Sequence, residues 1–152
     1  MSHVVSIKTE IKDLEALKEA CKKCGLEFRE GQKKYKWYGT HVGDYPRPEG
    51  FTAADDGKCD HAIGVPGNNQ AYEIGVTKKK NGKEGFDITY DFWNGGYGLE
   101  KVAGKGCENL VDAYSQTVAL KQATKFAQAQ GWSVSHEFDQ ETNETVIKLR
   151  KY

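Results

Sequence analysis

Apolar and polar positions change period several times along the chain, and each change marks an element. Val5, Ile7, Thr9 and Ile11 alternate with polar residues, which predicts a first strand with one face buried. Asp13 then suits an N-cap, and Glu15 falls in the favourable first turn. Leu14, Leu17, Cys21 and Cys24 follow at spacings of three and four, one face of a helix, and Gly25 stands where a left-handed C-cap is expected. Phe28 and the segment 34–38 read as short strands. Residues 39–57 hold Pro46 and Pro48 and many Gly and Asp, and read as an irregular loop inserted over about 39–60.

Period two returns at 62–65, at 71–78 and at 86–93. Asn81-Gly82 between the last two signals a tight hairpin turn. A glycine-rich stretch, 95–106, precedes a helical pattern from about Glu108 to Gln130, with Gly131 as its cap and Trp132 folded back on its last turn. Trp132, Val134, His136 and Phe138 alternate, as do Thr145, Ile147 and Leu149, which predicts a C-terminal hairpin. The sum is an α+β fold: an antiparallel sheet with two helices packed on one face, in the order β-α-β(n)-α-β-β. No repeat or second domain is visible, so the 152 residues read as a single domain.

Composition narrows the function classes. A chain this long buries roughly 70% of its unfolded surface, so a core forms without disulfides or metal. The 22 Lys and Arg balance the 22 Asp and Glu. A net charge of zero disfavours nucleic acid and anionic membranes as partners at the level of the whole chain. No run reaches the roughly 20 apolar residues of a spanning helix. The start, MSHVVSIKTEIKD, lacks the basic and apolar regions of a signal peptide. A soluble, cytoplasmic protein with reduced cysteines is the expectation.

Candidate chemistry is sparse. Cys21, Cys24, Cys59 and His61 are the residue types that hold zinc or iron, in a C-x-x-C and a C-x-H pattern. Cys21 and Cys24, however, continue the apolar stripe of a helix, where cysteine is an ordinary core residue. Cys59 and His61 lie in a loop and are the better pair for a metal- or redox-linked role. Cys107, at a helix start, is a place where a thiol pKa can be lowered. The glycines at 95–106 do not make a phosphate loop: five residues, not four, separate Gly98 from Gly104, and Gly106 stands where a hydroxyl should hold magnesium. Lys33, Lys34 and Lys36 interleave with Tyr35, Trp37 and Tyr38, a pattern that binds single strands by stacking when the rings are exposed and is an ordinary half-buried strand when they are not. The four histidines form no triad with Ser or Cys and an acid, and no paired carboxylates stand out.

The opening MSH-x-x-x-IKTEIKDLEALKEA, the strand YEIGV, and AYSQTVALKQATKFAQAQGWSV followed by TVIKLRK resemble the hypothetical chloroplast open reading frame thirty-five family. This is a domain-of-unknown-function family of cyanobacteria and algal plastids, with copies in other bacteria and in large phages. The resemblance covers nearly the whole chain except about 39–60, and departs from the family pattern at Cys21, Cys24 and the Cys59-Asp60-His61 run. It implies a small soluble intracellular protein and brings no catalytic residues. The expectation is therefore a non-catalytic binding or adaptor protein whose partner is another protein, met through sheet aromatics such as Trp37, Tyr72, Tyr90 or Trp93. The alternatives are the metal- or redox-linked role of Cys59 and His61, and single-strand binding through Lys34, Lys36 and Trp37.

Overall fold

The structure is a computed structural model. It describes residues 3–43, 45–142 and 144–151, without the side chain of Phe138. The chain runs β1 (Val4–Ile11), α1 (Leu14–Cys24), β2 (Glu27–Arg29), β3 (His61–Gly64), β4 (Ile74–Lys78), β5 (Phe86–Asp91), α2 (Leu99–Ala103), α3 (Glu108–Ala129), β6 (Ser133–Asp139) and β7 (Glu144–Arg150). Five strands form one antiparallel sheet in the order β1-β5-β4-β3-β2, and β6 and β7 form a separate two-stranded sheet. The α+β class is as the periodicity predicts. The C-terminal hairpin does not extend the main sheet but rests against α3, where the Thr145 hydroxyl donates to Gln116 Oε1 at 2.8 Å.

Local chemistry explains the ends of α1. Asp13 Oδ1 accepts the Ala16 N–H at 3.0 Å, and Gly25 turns left-handed at φ 78° so that the Leu26 N–H closes on the Cys21 carbonyl at 2.8 Å. At the far end of α3, Trp132 folds back, donating its N–H to the Ala127 carbonyl and setting its ring edge-on to Phe126. In the β4–β5 connection Asn81 and Gly82 both take positive φ, 61° and 72°, as a twist-matched hairpin turn requires.

Alternation along the strands gives the sheet two different faces. Ile63, Ile74, Val76, Ile88 and Tyr90 point to the helices and join Leu17, Cys21, Leu99 and Leu110 in the main core. The opposite face presents Ala62, Gly64, Gly75, Thr89 and Asp91, mostly small or polar. The long 30–60 connection folds over it, and Tyr35, Cys59 and Ala62, with Trp37 against them, make a second, smaller core.

Segment 34–38 is not a strand; its one ladder contact is an isolated bridge between Lys34 and Lys58. Its backbone partners change at each step. Tyr35 donates to the Gly57 carbonyl, Lys36 donates to Glu73 Oε1, and Tyr38 donates to Asp91 Oδ2. The predicted alternation of buried Tyr35 and exposed lysines survives, because it arises from packing on the sheet rather than from pairing. Likewise β4 begins at Ile74 rather than Ala71, since the N–H groups of Tyr72 and Glu73 go to Gly96 and Lys36 carbonyls. Within the glycine-rich stretch a five-residue helix, α2, forms that the pattern did not predict. It is tied to the sheet by the Tyr90 hydroxyl, which donates to Glu100 Oε2 at 2.8 Å.

Candidate functional site

The thiol and imidazole candidates are dispersed. Cys59 packs beside Ala62 on the loop-covered face, and its Sγ donates to the Gln32 carbonyl at 3.1 Å. His61 precedes Ala62 in β3 and points the other way, with its ring against Phe28 and Phe86 and its Nδ1 accepting the Gly31 N–H at 3.0 Å. Cys21 is buried in the main core, and Cys24 donates to the Asn109 carbonyl at 3.3 Å where α1 meets α3. Among the described residues no three His, Cys, Asp or Glu side chains converge as a metal-holding group. Burial pushes the Cys21 and Cys59 thiols up to about 12, and the Cys107 thiol also rises, first through burial and then through the Glu100 charge. A lowered pKa at Cys107 is therefore not found. Its residue opens α3, but its sulfur lies in the apolar core.

The candidate stacking residues are also otherwise occupied. Trp37 lies over Gly57 and beside Tyr35, whose ring in turn covers Gly75. Lys36 Nζ donates to the Asn69 carbonyl, and Lys34 is exposed. Tyr90 is fully buried and presents nothing to a partner. A slot between the loop and the sheet is lined by Ser6, Tyr35, His41, Arg47, Asp56 and Thr89 among others. Its polar groups are largely satisfied internally: Arg47 meets Asp56 through two bonds of 2.8 Å, and the Tyr35 and Thr89 hydroxyls meet at 3.4 Å.

What the fold does build is an aromatic cluster around Asp91. This aspartate ends β5 with none of its surface exposed. Its Oδ1 accepts the N–H groups of His3 and Trp93, both at 3.0 Å, and its Oδ2 accepts that of Tyr38 at 3.2 Å. All three donors belong to aromatic residues from three separate segments. One buried carboxylate thus holds three aromatic residues by their backbones at the same end of the sheet. His3 stacks on Phe92 at 5.4 Å and lies 5.4 Å from Trp93, and Tyr45 meets Phe92 edge-on at 5.6 Å.

The turn after β5 adds a further ring. Asn94, Gly95, Gly96 and Tyr97 all take left-handed φ, between 51° and 64°. Glycine does so freely and asparagine tolerates it, but for tyrosine it is costly. Backbone bonds hold the turn, and the space at Gly96 admits no side chain. The Gly96 carbonyl accepts the Tyr72 N–H at 2.8 Å, and a Cβ at Gly96 would meet Leu99 Cβ at 2.9 Å. The result stands Tyr97 edge-on against Tyr72, with centroids 5.0 Å apart. Tyr38, Tyr97 and Trp93 are exposed at 52%, 43% and 38%, whereas Tyr72, on which Tyr97 packs, is buried.

Of the aromatics the sequence singled out, Tyr72 and Trp93 belong to this cluster and Trp37 and Tyr90 do not. Tyr38, Tyr97, His3 and Asp91 were not singled out as members. The available signal was the run Asp91-Phe-Trp-Asn-Gly-Gly-Tyr97, aromatics packed around residues that favour left-handed turns. No helix is long and apolar enough to cross a membrane among the described residues. Compared with known proteins, the chain matches no family, no curated protein and no solved structure.

Proposed function

We propose that this chain is a non-catalytic protein-binding module, and that the aromatic cluster at Asp91 is its docking surface. The observation that carries the reading is the buried Asp91 carboxylate, which holds the backbones of His3, Tyr38 and Trp93 and so fixes exposed rings in advance of any contact. Exposed aromatics on a rigid support are the residues that dominate protein interfaces, because tyrosine and tryptophan bury large area at little entropic cost. A strained tyrosine at position 97 supports it further, since such conformations cluster at recognition and switch sites. The kinship we propose, with the chloroplast open reading frame thirty-five family, assigns no reaction and is compatible with an adaptor role.

The test is site-specific crosslinking in extract of the source cells. A photo-reactive phenylalanine analogue at position 97 is expected to trap a discrete protein that the same analogue at position 146, on the C-terminal hairpin, does not. Trp93→Ala in the position-97 probe should weaken that product severalfold without altering the folded signal. Equal labelling from both positions, or a trapped species that is nucleic acid, overturns the proposal.

A further inference from the structure

We propose that Tyr38, Tyr72 and Tyr97, with the Asp91 carboxylate beneath them, receive the cationic side chain of an arginine or lysine carried by the partner protein. This rests on the docking-surface reading and names what that surface recognises. Tyr72 is the buried floor, and Tyr97 stands edge-on beside it at 5.0 Å with an interplanar angle of 65°. Tyr38 is held at the same place by its N–H on Asp91 Oδ2. On this reading the exposed Tyr97 and Tyr38 are the walls of an open cup, and the buried Tyr72 is its floor. Aromatic faces attract organic cations through their quadrupole, and rings inclined to one another offer more than one face at once.

The charge at the cup has the complementary sign. The Tyr72 phenol is raised by burial first, then by the negative charge of Asp91, then by its tyrosine neighbours Tyr97 and Tyr38. Lys36 keeps its positive charge at the Asn69 carbonyl, and Asp91 is the strongest charge acting on the Tyr72 phenol. A guanidinium or ammonium group entering the cup would sit over ring faces with a carboxylate below, where partial desolvation strengthens the attraction. His3, stacked on Phe92 and tilted against Trp93, is held by the same carboxylate and offers further ring surface to the segment that carries the cation. The left-handed turn gains a purpose here: without it Tyr97 would not face Tyr72.

The test titrates the full chain with acetyl-Gly-Arg-Gly-amide and with the neutral citrulline isostere, followed by tyrosine ring resonances in NMR. The arginine peptide should bind roughly tenfold more tightly than the citrulline peptide. Tyr97→Leu and Tyr38→Leu should each abolish that preference, whereas Tyr97→Phe, which keeps a ring face, should retain most of it. Circular dichroism checks that every variant is folded. Equal binding of the two peptides, an unchanged preference in folded Tyr97→Leu, or no ring shift at tens of millimolar peptide overturns the inference. If the peptides fail to discriminate while the crosslinked partner still depends on Trp93, only the cation is refuted. If the crosslink also fails, the docking surface itself falls.

Discussion

At the scale of single residues, two acids do the most to position the molecule, and both do so through backbone N–H groups. Asp91 receives two on Oδ1 and one on Oδ2. Asn at this position can keep the first two but must turn an amide N–H toward Tyr38 N–H. We expect Asp91→Asn to cost about 1–3 kcal/mol in urea denaturation, the range for an unsatisfied buried donor. The Tyr38 amide should lose its protection in hydrogen exchange. Asp13 is the second case. Its pKa is lowered chiefly by the Ala16 N–H, against a burial penalty, with help from Lys121 at 3.2 Å. A carboxyl depressed in the folded state stabilises above its unfolded value and loses that contribution as pH falls through the folded one. Asp13→Ala should therefore cost about 1 kcal/mol at neutral pH. The gap from the unmodified chain should close in acid, when denaturation midpoints are compared across pH.

Elements differ in how much their own sequence decides. In α1 the cap, the stripe and the terminal glycine agree, and the helix lies where they place it. β4 and β5 also follow their alternation, except at ends where a loop captures the next N–H. The central position of β4 depends on Gly75, because a Cβ there would meet the Tyr35 ring at 2.5 Å. Gly75→Ala is expected to destabilise by about 1–3 kcal/mol, the usual cost of overpacking, and a chemical melt checks it. The β6–β7 hairpin stands apart as two strands with Val146 and Leu149 exposed. Two-stranded sheets are marginal by themselves. Amides of 133–150 should accordingly exchange faster than those of β4 and β5, and residue-resolved hydrogen exchange will show whether they do.

Across the whole molecule, the cysteines show how burial overrides motif. Cys21 and Cys59, raised to about 12 from an ordinary value near 9, and Cys107, raised as well, stay protonated in the fold while their unfolded forms ionise. Stability should therefore be complete below about pH 9 and decline as pH rises from there toward 12, a slope visible in melting temperature. Iodoacetamide at pH 8 should label these three thiols slowly in the folded chain and rapidly in urea. Fast labelling of native Cys59 would revive a redox role.

The hydrophobic pattern by itself determined the class of fold and the core face of α1, and the turn and cap residues Asn81-Gly82 and Gly131 determined the β4–β5 hairpin and the end of α3. Each of these depends on neighbours within a few residues, and local spacing records them. It could also narrow the cysteine question, since Cys21 and Cys24 sit on an apolar stripe. It could not show that Cys59 and His61 face opposite ways. That follows from a bend at Asp60 and from which sheet face the loop covers. Nor could it turn segment 34–38 from strand into cover, because its N–H groups go to the Gly57 carbonyl and the Glu73 and Asp91 side chains rather than to the backbone of one strand. The aromatic cluster proposed as a docking surface is assembled by tertiary structure, with only the 91–97 run legible beforehand. His3, Tyr38 and Trp93 lie 35 and 55 residues apart in the chain, and only the folded sheet with its covering loop delivers their N–H groups to one carboxylate.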